Sequence, residues 1–252
     1  GRVEVWTRRQ TPLVITATLA RLPNGSPKAI TVHQIRGGGG FGRRLSNEYV
    51  FEAALISRKV GAPVKLQWKR EDDMAFDYFR APTYYRLQGA VAQDGQLTGW
   101  KNLLAAASAD GKKANYGASY RPFDFPGKVI KNVLIEQSFV PSQTPTGAWR
   151  APISNVYAFA EQSFIAELAH AAGQDHEAFL LNAIGHQGHI KEDDPASLNT
   201  KRAHAVITAA TRAAGWGREL KEGRGLGLAF FLSHAGHIAE VAEVSVEGKS
   251  IT

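Results

Sequence analysis

The residues with the clearest chemical potential form a glycine run that ends in two arginines, at 37–44 (Gly-Gly-Gly-Gly-Phe-Gly-Arg-Arg). The run follows a strand-like stretch at 28–35 and precedes a helix-like stretch at 45–60. Glycine has no Cβ, so backbone N–H groups in such a turn can approach a ligand closely. A helix N-terminus adds partial positive charge, and the forked side chains of Arg43 and Arg44 suit phosphate. The turn therefore predicts an anionic ligand, most simply one that carries phosphate.

A second candidate lies at 146–152 (Thr-Gly-Ala-Trp-Arg-Ala-Pro), where a small residue, a large aromatic residue and a fixed cation adjoin on one loop. This loop stands just before a long helix-like stretch. Taken alone, it is equally compatible with an ordinary turn whose Arg150 forms an ion pair.

Two other interpretations of the glycine run stay open at this level. It could be a tight turn that packs a helix on a sheet, or an Arg-Gly segment that binds RNA, although such segments usually repeat. The run is neither a Walker A loop, which requires Gly-Lys-Ser/Thr, nor a dinucleotide fingerprint, because the glycine spacing differs.

Composition limits the chemistry further. The 252 residues contain 44% hydrophobic and 21% charged residues, which is ordinary for a globular protein. The net charge of +7 favours an anionic ligand or partner, but the basic residues are spread out, so nucleic acid is not the expected partner. The chain has no cysteine, which excludes disulfides, thiolate metal sites and iron–sulfur clusters held by this chain.

The hydrophobic patterns predict an α+β fold of mixed, largely antiparallel sheets covered by helices. We expect two regions, a ligand-binding region at 1–152 and a helical region with closing strands at 153–252. The sequence starts and stops inside strand-like stretches, so we expect a longer protein. Strands are predicted at 3–7, 28–35, 64–68, 84–92, 97–107, 129–135, 225–231 and 236–246; helices are predicted at 13–22, 45–60, 155–172, 177–184 and 196–214, with an irregular loop at 111–127.

Several motifs occur in an order that resembles the molybdenum hydroxylases, the superfamily of xanthine dehydrogenase and aldehyde oxidase. They are Gln10, Gly39-Gly40-Phe41-Gly42 at a strand–helix turn, and Gly147-Ala148-Trp149-Arg150 before a helix. Further motifs resemble a narrower branch, that of the isoquinoline 1-oxidoreductase β subunit and related membrane-linked aldehyde dehydrogenases. These are Val3-Glu-Val-Trp6, Arg43-Arg44, Trp68-Lys-Arg-Glu-Asp-Asp73 and Val241-Ala-Glu-Val244.

The resemblance implies part of a molybdopterin-binding large subunit that hydroxylates an aromatic N-heterocycle or an aldehyde with oxygen from water. The expected cofactor is molybdopterin with molybdenum, in its cytosine dinucleotide form. The pterin dithiolene would hold the metal, so no protein ligand to it is expected. By position, Gln10 resembles a residue that hydrogen-bonds a molybdenum oxo ligand. The implied cofactor-binding set is Gln10, Gly39, Gly40, Phe41, Gly42, Arg43, Ala148, Trp149 and Arg150.

The resemblance also implies what lies elsewhere. The general-base glutamate is expected downstream of Thr252, and a Gly-Gln-Gly cofactor loop upstream of Gly1, so no catalytic residue is assigned here. The isolated chain is expected to be inactive. Expected partners are the rest of the large subunit, a small subunit with [2Fe–2S] clusters, and a cytochrome or other acceptor. Periplasmic or membrane-associated localisation is expected from the branch.

Two functions of other classes remain. One is a non-catalytic domain that binds phosphate or nucleic acid through the glycine-rich turn, for which salt-sensitive binding to random oligonucleotides would be the sign. The other is a scaffold copy of the family that no longer holds a cofactor.

Overall fold

The computed structural model describes residues 2–22, 25–120, 129–186 and 188–252. Within these ranges the chain forms eight strands in three small sheets and six α-helices. The strands are β1 (Val3–Thr7), β2 (Ile30–Gln34), β3 (Thr83–Val91), β4 (Leu97–Ser108), β5 (Asn132–Pro141), β6 (Arg224–Ser233), β7 (Gly236–Glu247) and β8 (Ser250–Ile251). The helices are α1 (Pro12–Leu19), α2 (Glu48–Val60), α3 (Arg70–Phe76), α4 (Ser154–Ala171), α5 (His176–Ile184) and α6 (Thr200–Ala214).

The chain divides into two compact units. Unit 1 contains residues 2–81, 115–117 and 142–152, and unit 2 contains residues 82–114, 118–141 and 153–252. Unit 1 is therefore assembled from three separate segments of the chain. Every residue that the sequence singled out for the site lies in unit 1.

Unit 1 is built on the parallel pair β1 and β2, in register from Val3 opposite Ile30 to Thr7 opposite Gln34. Apolar residues of both strands face α1 and α2, and the buried centre consists of Ile15, Leu19 and Val50. Proline at the first position of α1 suits a helix start, because its missing N–H would have no partner there. Gly61 ends α2 in the left-handed conformation that glycine adopts without a steric cost.

Unit 2 carries the larger core. Its sheets have the strand orders β3-β4-β5 and β6-β7-β8, and α4, α5 and α6 supply the apolar side chains that cover them. The amide oxygen of Gln162 on α4 accepts a hydrogen bond of 2.9 Å from the buried backbone N–H of Phe230 on β6. This bond ties a helix to a strand in an otherwise apolar interior. Residues fully buried in this core include Ile165, Phe179, Leu180, Ile184, Leu198, Ile207 and Phe230.

The α+β prediction is confirmed. Three of the strand pairs are antiparallel, whereas β1–β2 and β4–β5 are parallel. The hairpin of β3 and β4 turns at Asp94-Gly95, as predicted. In the described part of the chain, no helix has the length and apolarity needed to span a membrane.

Two predicted strands need correction, and one short helix was not predicted. The stretch 64–68 is not a strand, because no neighbouring strand of the described residues offers it a hydrogen-bonding edge. The charged stretch after it forms the short helix α3, and the strand expected at 129–135 is displaced to β5. The loop predicted at 111–127 is irregular as far as residue 120, and its remainder lies outside the described residues.

Tyr85 on β3 gives unit 2 a pH-dependent stability. Burial raises the pKa of its phenol to about 12, and the nearby Glu161 carboxylate acts in the same direction. Because the folded pKa lies above the unfolded value near 10, the contribution is complete below pH 10 and is lost as the pH rises towards 12. Between pH 9 and 12, we expect wild type to lose about 2 kcal/mol more unfolding free energy than Tyr85→Phe, a figure reduced for solvent screening. Urea unfolding of both proteins across this range measures the difference, and parallel pH profiles would contradict it.

Candidate functional site

The site begins where the two parallel strands of unit 1 end. Parallel neighbours finish at the same edge of a sheet, so the segments that follow β1 and β2 emerge side by side. The side-chain amide of Gln34 donates a hydrogen bond of 2.7 Å to the carbonyl of Arg9, which fixes the segment before Gln10. As a result Gln10 lies against the glycine run: a Cβ built on Gly40 would stand 3.3 Å from Gln10 Oε1.

The glycine run closes in a tight turn with unusual backbone geometry. Phe41 has φ of 48° and Gly42 has φ of 92°. The N–H of Arg43 donates to the carbonyl of Gly40 at 2.9 Å, and the N–H of Leu45 donates to the carbonyl of Gly42 at 3.0 Å. A phenylalanine in the left-handed region is uncommon and costs energy, and such strain is concentrated at functional sites.

The turn leaves a row of backbone donors free. Among the described residues, no acceptor receives a hydrogen bond from the N–H groups of residues 38–42. Residues 37–39 and Phe41 are solvent-exposed, and a Cβ on Gly38 would meet nothing within 4 Å. Successive unpaired N–H groups in a concave turn form a natural anion or oxo-ligand site.

The second motif is held in place by residues just before β3. The N–H of Phe79 donates to the carbonyl of Pro145 at 2.9 Å, and the N–H of Gly147 donates to the carbonyl of Phe79 at 3.1 Å. A Cβ on Gly147 would stand 2.6 Å from the ring of Tyr78, so only glycine allows this approach. These two backbone hydrogen bonds therefore fix the start of the Ala148–Arg150 loop.

The turn and the loop meet directly. The N–H of Arg150 donates a hydrogen bond of 2.7 Å to the carbonyl of Phe41. The Arg150 guanidinium carbon lies 4.9 Å above the centre of the Phe41 ring, which is a cation–π geometry. A Cβ on Gly42 would stand 2.6 Å from the carbonyl oxygen of Ala148. Two motifs far apart in the sequence thus form a single surface.

The loop itself presents one aromatic ring and one cation. Ala148 is buried, whereas Trp149 and Arg150 are exposed. The Arg80 guanidinium lies 5.1 Å from the centre of the Trp149 ring, and partial burial lowers the pKa of Arg80. Arg150 and Ala151 both have positive φ, at 21° and 45°, so the loop is strained on its side of the contact as well.

Arg43 is balanced within the chain rather than left free for a ligand. Its guanidinium pairs with Glu48 and, through Nε at 2.6 Å, with Asp77. Helix α2 begins only at Glu48, and a single 3₁₀ turn at Arg43–Leu45 separates it from the glycine run. The helix N-terminus is therefore farther from the turn than the sequence predicted, and its first residue carries an acid that already offsets its partial charge.

An open cleft in unit 1, with a volume of about 2170 Å³, contains most of the predicted set. Gln10 and Gly42 do not line the cleft themselves. Gln10 lies against Gly40, and Gly42 lies against Ala148, and both of these neighbours do line it. The predicted residues that line the cleft are Gly39, Gly40, Phe41, Arg43, Ala148, Trp149 and Arg150.

Sequence reasoning missed three residues at this site: Arg80, Tyr49 and Arg9. Arg80 stacks on the predicted loop, and Tyr49 lines the cleft next to the glycine turn. Arg9 packs against Tyr49, with its guanidinium carbon 4.9 Å from the ring centre. The arginine pair that directly precedes Gln10 was the one available signal for Arg9, because basic residues beside an anion site reinforce it.

Comparison with known proteins identifies a family. Residues 1–182 match the model of a family described as the molybdopterin cofactor-binding domain, and this match spans both the turn and the loop. The chain is 29% identical to a membrane-bound aldehyde dehydrogenase [pyrroloquinoline-quinone] of Gluconacetobacter polyoxogenes, over 91% of this chain and 32% of that protein. It is 28% identical to the isoquinoline 1-oxidoreductase subunit beta of Brevundimonas diminuta, over 97% of this chain and 31% of that protein.

The fold matches as well. The aldehyde oxidoreductase of Desulfovibrio desulfuricans superposes with a TM-score of 0.65 at 16% identity, covering 90% of this chain and 26% of that structure. At this identity the similarity shows a shared fold. The chain spans about a third of the length of the curated relatives it matches.

Proposed function

This chain belongs to the molybdopterin cofactor-binding domain family, within the molybdenum hydroxylases, and we propose that its glycine turn and Ala148–Arg150 loop hold the pterin cofactor of an oxidoreductase. The observation that carries the proposal is the direct contact between these motifs, the Arg150 N–H bonded to the Phe41 carbonyl in the wall of one cleft. Gln10 stands beside the same turn.

The residues present fit such a cofactor. Free N–H groups at residues 38–42 can donate to oxygen or sulfur atoms, and the open space at Gly38 allows a ligand to approach the backbone. Arginines along the cleft suit phosphate. The chain offers no thiolate, which agrees with a metal that brings its own sulfur ligands.

When bound, the cofactor supplies a molybdenum centre that accepts two electrons from the substrate. The protein's part is to bind and orient it. In this proposal the Gln10 amide and the N–H groups of Phe41 and Gly42 would donate hydrogen bonds to the bound cofactor, and preorganised donors of this kind act without reorganisation. Trp149 and Arg150 line the cleft and are exposed to solvent, so in this proposal they shape the approach of the substrate.

Finer features follow from the relatives and from the branch resemblance. The branch resemblance leads us to propose the cytosine dinucleotide form of the pterin. The names of the two relatives support an N-heterocycle or an aldehyde as substrate. We also propose the rest of a large subunit, a small [2Fe–2S] subunit and a cytochrome or other acceptor as partners. Periplasmic or membrane-associated localisation is part of the same proposal, supported by the name of the first relative.

The non-catalytic alternative, a phosphate- or nucleic-acid-binding domain, is not favoured. The family match covers the glycine turn together with the Ala148–Arg150 loop, and a phosphate-binding turn alone would not need the second motif.

Metal analysis tests the proposal. The chain is produced within its full-length protein and with the products of neighbouring reading frames, and molybdenum, phosphorus and pyrroloquinoline quinone are measured. We expect nearly equimolar molybdenum, two phosphates per pterin for the dinucleotide form, and no quinone. A complete assembly that contains no molybdenum would overturn the proposal. Bound pyrroloquinoline quinone without molybdenum would instead indicate the cofactor in the name of the Gluconacetobacter relative.

A further inference from the structure

Three arginines of unit 1 converge on one aromatic ring. The guanidinium carbons of Arg9, Arg43 and Arg44 lie 4.9, 5.5 and 5.4 Å from the centre of the Tyr49 ring. Arg9 comes from the segment after β1, the other two follow the glycine turn, and Tyr49 lies in the first turn of α2. The negative face of the ring attracts each cation, but three like charges around one ring also repel one another.

Among the described residues, carboxylates neutralise one of these three arginines. Arg43 pairs with both Glu48 and Asp77. No carboxylate of the described residues lies within ion-pair distance of Arg9 or Arg44. Arg9 and Arg44 therefore lie against one aromatic ring without a counter-charge from the part of the chain that the structure describes.

Arg9 is the decisive member, because it is 3% exposed. Its Nη1 donates a hydrogen bond of 2.6 Å to the Tyr49 hydroxyl, while Nε and Nη2 are buried and meet no acceptor in the described residues. Burial lowers the pKa of Arg9, and the charges of Arg44 and Arg43 act in the same direction. Arginine nevertheless stays protonated in proteins. A buried guanidinium whose Nε and Nη2 groups have no acceptor is costly, so a bound anion that accepts these hydrogen bonds would be favourable.

We propose that Arg9 and Arg44, with Tyr49, form a binding site for a phosphate group. A phosphate offers several oxygens to a guanidinium fork and carries up to two negative charges, enough to balance both free arginines. A carboxylate would balance the charge of only one of these two arginines. Arg44 and Tyr49 also line the unit 1 cleft, so the site adjoins the space assigned to the cofactor.

The phosphate has two possible sources, the cofactor's own phosphate or a free or substrate phosphate. Assigning it to the cofactor rests on the proposed function, whereas the site itself does not. Simple salt screening is the competing explanation, because any anion would relieve repulsion among three adjacent cations.

The first arm uses the full-length protein freed of both molybdenum and pterin and titrated with inorganic phosphate. Sodium chloride holds the ionic strength constant, and calorimetry and thermal unfolding report binding. We expect Arg44→Gln to weaken phosphate binding at least about tenfold, the value of one charge-assisted hydrogen bond. Arg9→Lys keeps the charge but loses the fork, so it should also weaken binding. Arg21→Gln, an exposed change of equal charge in the same unit, should bind as wild type does.

The outcomes separate cleanly. The proposal would be overturned if chloride raised the thermal stability of the protein as much as phosphate does. It would also be overturned if Arg44→Gln bound phosphate as tightly as wild type. Arg44 is only partly buried, so its variant keeps the test decisive if Arg9→Lys does not fold.

The second arm identifies the source by repeating the titration on molybdenum-loaded protein. If the cofactor's phosphate fills the site, loaded protein no longer takes up added phosphate, and Arg44→Gln purifies with less pterin. Unchanged uptake in loaded protein would assign the site to a separate phosphate. Failure of the proposed function would instead appear as absence of molybdenum, with phosphate binding to the metal-free protein intact.

Discussion

We expect Gly42→Ala to lose most of its bound molybdenum while unit 2 stays folded. The new Cβ would stand 2.6 Å from the Ala148 carbonyl oxygen and 2.8 Å from Trp149 Cα, both backbone atoms that cannot rotate away. The φ of 92° adds strain for any L-residue. Together these costs amount to about 3 kcal/mol, enough to separate the turn from the loop. Molybdenum content per chain, with hydrogen exchange at Arg150, measures the effect.

A control glycine separates the steric contact from other effects. Gly61→Ala is forced into a positive φ of 69°, but nothing lies within 4 Å of its Cβ, so it should cost about 1 kcal/mol and keep the metal. If Gly42→Ala retains as much molybdenum as Gly61→Ala, the contact between turn and loop does not support the cofactor site.

The second large effect concerns the core of unit 2. Phe179 on α5 is buried with Leu180, Ile184 and Ile207, and its replacement by alanine would leave a cavity. We expect Phe179→Ala to lower the unfolding free energy of this unit by about 3–5 kcal/mol. Hydrogen exchange of the α5 and α6 amides measures the loss in the unit where it occurs.

Phe159→Ala is the matched control, since the same side chain on α4 is 80% exposed. Its removal should change the unfolding free energy by less than about 0.5 kcal/mol. Equal protection of α5 in wild type and Phe179→Ala would mean that this ring does not stabilise the core.

Local signals account for what the sequence predicted well. The helices at 155–172 and 177–184 agree with α4 and α5 to within one residue at each end, because strong apolar periodicity reports packing against a core. The side chain of Asp175 caps α5, as aspartate before a helix often does. Helix α6 begins at Thr200 rather than at residue 196, since the capping amide of Asn199 sets its start.

The misses come from interactions between distant segments. The stretch 64–68 has strand-like residues, but pairing depends on a neighbour that the sequence does not show. The glycine turn and the Trp149 loop were each recognisable, and the resemblance placed both beside one cofactor. Their hydrogen bond and the burial of Arg9 are tertiary facts that no local pattern contains. The pairing of Arg43 with Glu48 and Asp77 is likewise a tertiary contact that the sequence did not show.

The three-segment make-up of unit 1 sets an order of events during synthesis. The glycine turn leaves the ribosome well before its partner loop at 146–152, which emerges only after the whole β3-β4-β5 sheet of unit 2 has been made. Contacts of such long sequence separation form late in folding. A nascent chain that ends before Arg150 therefore cannot present a finished cleft.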